Sequence, residues 1–113
     1  MLDAVTAVSG SGPAYVFYFM EAVHAAAVKL GFNDEAARQL TLATFRGAAA
    51  LASQASEPIA VLRERVTSKG GTTAAALAVM NERQLGAHIG DAVAAACRRS
   101  VELADEFGRD PQP

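Results

Sequence analysis

The residues best suited to chemistry lie in residues 66–77, which read VTSKGGTTAAAL and join two glycines to the start of a predicted helix. Gly70 and Gly71 can adopt positive φ and let a ligand approach the main chain. The first N–H groups of the helix, near Gly71 to Ala74, have no acceptor within the helix and carry the positive end of its dipole. The segment therefore predicts a binding site for a carboxylate or a phosphate.

The residues of this segment are also compatible with other interpretations. Ser68 or Thr72 could simply cap a helix after a glycine turn. The chain would then be a stand-alone helical dimerisation or scaffold module without catalysis. A third interpretation is a regulatory domain that binds an anion without redox chemistry. The occurrence of Ser68, Gly70, Gly71, Thr72 and Thr73 together favours a binding site over a simple cap.

Length and composition narrow the class of protein. A chain of 113 residues can form one domain with a core, but is small for an enzyme that also binds a dinucleotide. A net charge of −2 without a basic stripe argues against nucleic acid and against a charged membrane anchor. The single Cys97 excludes an internal disulfide and predicts a cytoplasmic protein. His24 and His88 stand in no metal-ligand spacing, so we expect no metal site.

Glycine and proline divide the chain into helical segments, and no alternating apolar runs indicate strands. Pro13 suits the first position of a helix, and Gly31 suits the residue after its end. We therefore predict an all-α fold, a bundle of about five to six helices. The predicted elements are a short turn over residues 3–8 and helices over residues 13–30, 34–55, 58–65, 72–84 and 87–107, with residues 110–113 fraying.

The second helical segment is apolar on every side, since residues 14–20 read AYVFYFM. A membrane span is one explanation, but Glu21 and His24 would lie near its centre and alanines follow them. A helix buried by its own domain and by a second copy of the chain fits better. Because alanines let helices approach closely, we expect the bundle to interlock with a partner chain as a homodimer, with higher oligomers of dimers as an open alternative.

Two separated motifs occur in the chain. The first is SGSGPAY at residues 9–15. The second motif comprises Pro58, Leu62, VTS at 66–68, GGTT at 70–73, Ala76, Leu77, Met80 and Glu82. Together these motifs resemble the C-terminal domain of pyrroline-5-carboxylate reductase, and the resemblance extends over residues 3–106. The resemblance implies NAD(P)H-dependent reduction of 1-pyrroline-5-carboxylate to L-proline, the last step of proline biosynthesis. It also implies a dimer and an N-terminal Rossmann domain for the dinucleotide.

This chain resembles only the helical part of such an enzyme. No Gly-x-Gly-x-x-Gly follows a predicted strand, so a dinucleotide-binding fingerprint is absent. We therefore interpret residues 1–113 as a single helical dimerisation and substrate domain. NADPH or NADH would be bound mainly by an N-terminal domain, and this chain alone is expected to be inactive.

The resemblance implies a role for each residue of the glycine segment. Within a loop that begins at Ser68 and includes Gly70, backbone N–H groups of Gly71, Thr72 and Thr73 would receive the substrate carboxylate. The Thr73 hydroxyl would then hydrogen-bond the ring nitrogen, which makes it the candidate catalytic donor. No residue of the chain resembles a strong general acid, so catalysis would rest on orientation and electrostatic stabilisation.

The residues that flank the loop carry further expectations from the resemblance. Val66 would pack against the substrate ring. Arg65 falls where the family contacts the cofactor from a neighbouring subunit, although an arginine at a helix end could equally be solvated. Lys69 stands where many relatives have proline, which adds a charge beside the anion site and could make the loop less rigid. A carboxylate that relatives carry just before the segment beginning at Asp3 is absent here.

Overall fold

A computed structural model describes residues 1–109 of the chain, and these residues form helices without any strand. The helices are α1 (Leu2–Val5), α2 (Gly12–Lys29), α3 (Asp34–Gln54), α4 (Ile59–Arg65), α5 (Thr72–Glu82) and α6 (Leu85–Arg109). The all-α prediction is confirmed. The predicted fraying of residues 110–113 lies outside the described residues.

The residue contacts divide the chain into two compact units, one of Met1–Tyr15 with the chain from Ala78 onward and one of Val16–Leu77. In the first unit, α1 and the turn that follows it pack against α6. That turn, Thr6–Gly10, is a π-helical turn, because the Ser11 N–H donates to the Thr6 carbonyl five residues back at 2.8 Å. The prediction of one single domain stays a prediction.

The π-helical turn is held by a side chain that comes later in the sequence. The Tyr15 hydroxyl donates to the Ala7 carbonyl at 2.8 Å, and Ala7 is buried. A π-helical turn displaces carbonyl groups from their regular helical partners, so a nearby phenol satisfies one of them. Sequence periodicity does not reveal such a turn, which explains why a plain helical turn was expected there.

In the second unit, local signals set the junction between α2 and α3. Gly31 has φ +111°, and its N–H donates to the Val28 carbonyl while the Phe32 N–H donates to the Ala27 carbonyl. This pair of bonds is the Schellman motif, in which glycine takes the left-handed position after a helix. Asn33 then caps α3, because its side-chain oxygen accepts from the Ala36 N–H at 2.8 Å.

Side-chain contacts join the two helices around that junction. The rings of Phe19 and Phe45 meet edge to face, with centroids 5.5 Å apart at 71°. The His24 Nε2 atom lies 3.2 Å from the carbonyl oxygen of Asp34 and 3.2 Å from its Oδ1 atom. His24 therefore contacts the start of α3.

The last two helices differ slightly from their predicted bounds. α5 ends at Glu82, and Gln84 takes φ +56°, a left-handed conformation that breaks the helical path before α6 begins at Leu85. Residues other than glycine rarely adopt a left-handed conformation. Because the break falls at a glutamine, neither a glycine nor a proline marks it in the sequence. The prediction consequently placed the end of α5 and the start of α6 two residues too late.

Few side chains are buried within one copy of the chain. Among the described residues only Ala7, Ala37 and Thr41 are buried. Large apolar side chains are exposed instead, including Phe17 at 63% and Tyr18 at 76%. These two lie on the apolar segment of α2. For that segment the sequence predicted burial by its own domain and by a second copy of the chain.

Candidate functional site

The glycine loop, defined here as residues 68–73, begins with a tight turn. The Gly71 N–H donates to the Ser68 carbonyl at 3.0 Å, and Gly70 has φ +74° at the third position of this turn. Such a φ is typical of a type II turn, whose second position accepts proline readily and most other residues too. Lys69 occupies that second position. The turn is closed by Ser68 and Gly71, so a lysine here leaves its hydrogen bond intact.

The two glycines serve different purposes. Positive φ was expected to be available to both, but within the loop only Gly70 adopts it. At Gly71 an added Cβ would lie 3.3 Å from the Ser68 carbonyl oxygen and 3.4 Å from the Ser68 Cβ. A side chain at Gly71 would therefore crowd Ser68, because the chain folds back on Ser68 at this point.

The backbone donors of the loop lie one residue later than expected. The Gly71 N–H is occupied by the Ser68 carbonyl, and the first N–H of α5 with a helical acceptor is that of Ala75, which bonds the Gly71 carbonyl at 3.1 Å. Within residues 1–109, the N–H groups of Thr72, Thr73 and Ala74 have no backbone acceptor. These three groups are the free donors at the positive end of the α5 dipole.

The hydroxyl groups around the turn are also free within the described part of the chain. Neither Ser68 nor Thr72 makes a side-chain hydrogen bond there, so neither caps α5. Thr73 is half-buried, and its hydroxyl has no hydrogen-bond partner among the same residues, whereas Thr72 is exposed. Free N–H groups beside a free hydroxyl fit a site for an anion that carries one further polar atom.

Val66, the predicted ring contact, lies between α4 and the loop and is 65% exposed. Its side chain offers apolar surface immediately before the polar groups of the loop. Val66, Ser68, Gly70 and Gly71 lie between α4 and α5, and Thr72 and Thr73 are the first two residues of α5. The binding roles assigned to these residues stay predictions.

Arg65, the predicted cofactor contact, ends α4 and forms an ion pair with Glu57. The bond from Arg65 is the main reason that the pKa of the Glu57 carboxyl is lowered, and N–H groups near Ser56 and Glu57 act in the same direction. The Arg65 side chain is 59% exposed, so part of its guanidinium is accessible. Because a guanidinium has five N–H donors, a partner that takes one or two leaves others available.

Thr67 is a residue of this region whose role the sequence did not suggest. Its hydroxyl donates to the Arg63 carbonyl at 2.6 Å, and its N–H donates to the Glu64 carbonyl at 3.0 Å. Both acceptors belong to the last turn of α4. A threonine four residues after a carbonyl at a helix end is the signal that could have indicated it, since hydroxyls commonly bond the carbonyl four residues back.

The described residues do not provide a complete cofactor site. They contain no strand, so the strand-turn-helix unit that binds a dinucleotide pyrophosphate is not among them. They also contain no group of three or more His, Cys, Asp or Glu side chains that could hold a metal ion. Searched over the same part of the chain, no helix combines the length and apolar character needed to span a membrane.

The described residues form an all-helical fold and bury few side chains, and free backbone N–H groups lie at the start of α5. The chain belongs to the pyrroline-5-carboxylate reductase family, because the family's dimerisation domain, described as "Pyrroline-5-carboxylate reductase dimerisation", matches residues 1–103. The resemblance seen in the two sequence motifs is thereby confirmed. A dimerisation domain implies that the protein forms oligomers.

Individual relatives agree with the family assignment. The chain is 48% identical over 108 residues to the pyrroline-5-carboxylate reductase of Pseudomonas aeruginosa, a match that covers 96% of this chain and 40% of that enzyme. A solved pyrroline-5-carboxylate reductase from Coxiella burnetii superposes with a TM-score of 0.86 at 42% identity, covering 89% of this chain and 37% of that one. The chain thus spans about two fifths of the length of its relatives.

A second solved structure bears on the cofactor. The pyrroline carboxylate reductase of Plasmodium falciparum, determined with NADP bound, has a TM-score of 0.85 and 35% identity to this chain. The similarity covers 88% of this chain and 38% of that protein. A nicotinamide cofactor is therefore a property of the family.

Proposed function

We propose that this chain is the dimerisation and substrate-binding part of a pyrroline-5-carboxylate reductase, which reduces 1-pyrroline-5-carboxylate to L-proline with NADPH or NADH. The observation that carries the proposal is the set of free N–H groups on Thr72, Thr73 and Ala74 beside the unpaired Thr73 hydroxyl, within residues 1–109. The substrate is an anion with one polar ring atom. Its two polar groups match the two kinds of donor in the loop.

In the proposed reaction the loop orients the substrate. The free N–H groups at the start of α5 hold the carboxylate, and Val66 lies against the ring. The Thr73 hydroxyl donates to the ring nitrogen, which takes up a proton from solvent as hydride adds to the C=N carbon. A nicotinamide cofactor would supply that hydride. A preorganised donor of this kind stabilises a transition state by about 2–4 kcal/mol without reorganising during the reaction.

We propose that the Arg65 side chain contacts the cofactor from the adjacent subunit. Its exposed guanidinium, with donors left over from the ion pair with Glu57, supports this role. The cofactor would be bound mainly by a dinucleotide-binding domain that precedes these residues in the full-length enzyme. The choice between NADPH and NADH would belong to that domain.

Assembly as a homodimer is part of the proposal. One copy of the chain buries few side chains, since only Ala7, Ala37 and Thr41 are buried among the described residues. Exposed aromatic and aliphatic side chains such as Phe17, Tyr18 and Leu51 supply the apolar surface that a dimer interface needs. Dimers could then associate into higher oligomers.

A cytoplasmic location completes the proposal. The chain has a single cysteine, Cys97, which is half-buried and unpaired in the described structure. This cysteine use is compatible with a reducing compartment, and it does not require one.

The deciding experiment measures NAD(P)H oxidation with 1-pyrroline-5-carboxylate as substrate, using the full-length product of the gene. We expect turnover by the full-length protein and none by residues 1–113 alone. A full-length protein that neither turns over nor binds the substrate would favour the scaffold alternative. Binding of the substrate anion without any NAD(P)H oxidation would favour a regulatory anion-binding domain.

A further inference from the structure

We propose that Thr67 is the positioning residue of the glycine loop, and that its hydroxyl sets the direction in which the loop leaves α4. This inference rests on the proposed function, because it assigns a role in the same site. Thr67 does not itself touch the substrate in this proposal. It acts through the turn that starts at Ser68 and through the free N–H groups that follow it.

Thr67 is attached to the end of α4 at two points. Its hydroxyl donates to the Arg63 carbonyl at 2.6 Å, and its N–H donates to the Glu64 carbonyl at 3.0 Å. The Arg63 carbonyl also accepts from the Val66 N–H at 3.3 Å. A β-branched side chain has few χ1 rotamers, so these bonds restrict both the main chain and the side chain of Thr67.

The next hydrogen-bonded unit begins at the adjacent residue. The Ser68 carbonyl accepts from the Gly71 N–H at 3.0 Å, and the Ala75 N–H donates to the Gly71 carbonyl at 3.1 Å. No unconstrained residue separates the end of α4 from this turn, since Thr67 belongs to the first unit and Ser68 to the second. The direction of the turn, and of the free N–H groups after it, therefore depends on how Thr67 is held.

Burial distinguishes Thr67 from its neighbours. Thr67 is half-buried, whereas Val66 before it and Ser68 after it are both exposed. Of these three consecutive residues, the middle one is bonded to the end of α4, and the outer two are exposed. A positioning residue with ligand-contacting neighbours would have this arrangement.

The kinetic consequence follows from what the loop does. Backbone N–H groups that hold a carboxylate remote from the reacting carbon bind the ground state and the transition state about equally, so their misplacement raises KM more than it lowers kcat. In the full-length enzyme, Thr67→Val should raise KM for 1-pyrroline-5-carboxylate about three- to thirtyfold. The kcat value should fall by a smaller factor than KM rises, because the Thr73 hydroxyl is displaced with the loop but remains present as a donor.

Two further variants separate positioning from general stability. Thr67→Ser keeps the hydroxyl and should restore KM to within about twofold of the parent, because the bond to the Arg63 carbonyl can form again. Thr44→Val removes a hydroxyl with the same geometry elsewhere, since Thr44 donates to the Leu40 carbonyl at 2.7 Å within α3. This matched control should leave KM unchanged. If Thr67→Val is insoluble, Thr67→Ala takes its place in the same comparison.

A second measurement reports the conformation of the loop in the absence of substrate. Amide hydrogen exchange at Gly71 reports the bond to the Ser68 carbonyl, and we expect faster exchange in Thr67→Val than in the parent or in Thr67→Ser. An active parent whose KM is unaffected by Thr67→Val, or is equally affected by Thr44→Val, would overturn the positioning role alone. A failure of Thr67→Ser to restore KM would do the same. A full-length parent without reductase activity would refute the proposed function instead.

Discussion

The Ser100 hydroxyl donates a hydrogen bond of 2.7 Å to the Asp3 carboxylate, which joins two residues 97 positions apart in the chain. α1 has four residues, too few to be stable as an isolated helix. Its position against α6 must therefore come from contacts such as this one. Because the acceptor is a carboxylate and the bond is partly buried, it is stronger than a typical exposed hydrogen bond.

Replacing Ser100 with alanine should lower the free energy of unfolding by about 1–2 kcal/mol, because it removes a hydrogen bond to a charged group. Urea denaturation at fixed protein concentration measures the change. Ser53→Ala is the matched control, since Ser53 donates only to the Ala50 carbonyl within its own helix and is exposed. Equal effects of the two substitutions would show that the contact with Asp3 does not hold α1.

Replacing Thr73 with alanine in the full-length enzyme should lower kcat/KM for 1-pyrroline-5-carboxylate about ten- to a thousandfold. The expected loss corresponds to about 1.5–4 kcal/mol, the cost of removing a hydrogen bond to a transition state with no substitute donor. Steady-state kinetics measures it. Thr72→Ala is the control, because the proposed contribution of Thr72 is its N–H group, which alanine retains. Unchanged kinetics in Thr73→Ala would show that the loop has only a structural role.

Replacing Gly71 with valine should raise KM for the substrate strongly, and Gly71→Ala should raise it less. The first side-chain carbon already meets the Ser68 carbonyl oxygen at 3.3 Å, so the turn must open to admit it. Gly86→Ala is a suitable control, since an added Cβ there meets nothing within 4 Å. Neither loop variant should dissociate the oligomer, and a parallel loss of assembly and activity would contradict a local effect.

The purified chain should form a homodimer of about twice its 11.7 kDa mass. Light scattering coupled to chromatography at low micromolar concentration measures this directly. Ala26 and Ala49 are both exposed in one copy, and a bulky residue at a close helix contact should weaken assembly by about 1–3 kcal/mol. A well-folded monomer at this concentration would contradict the proposed dimer. Assembly unaffected by both substitutions would place the contact elsewhere.

Replacing Arg65 with glutamine should raise the pKa of Glu57 toward its ordinary value of 4.5, because the Arg65 bond is the main cause of its depression. In the parent, a carboxyl whose folded pKa is depressed contributes stability above its unfolded pKa and loses it as pH falls through the folded pKa. Arg65→Gln should therefore weaken the acid dependence of unfolding below about pH 4.5. Carboxyl titration by NMR measures the shift, and Arg63→Gln should leave it unchanged.

Several features of the fold could be predicted because they depend on residues close together in sequence. Gly31 ends α2 in the left-handed conformation, and Asn33 caps α3, so this junction lay where the residues indicated. The turn around Gly70 is equally local. Helix ends and tight turns involve few residues, and their conformational preferences are expressed in the sequence itself.

The sequence by itself determined the all-helical class and the family, and the segment that it indicates for ligand binding stays a prediction. Only the tertiary structure decided that the Ser100 hydroxyl donates to the Asp3 carboxylate, 97 positions away in the chain. It also decided that Thr67 is tied to α4, and that Arg65 is paired with Glu57. Each of these results depends on the direction of a particular bond in the folded chain, whereas residue type and spacing specify only which groups are available to form one.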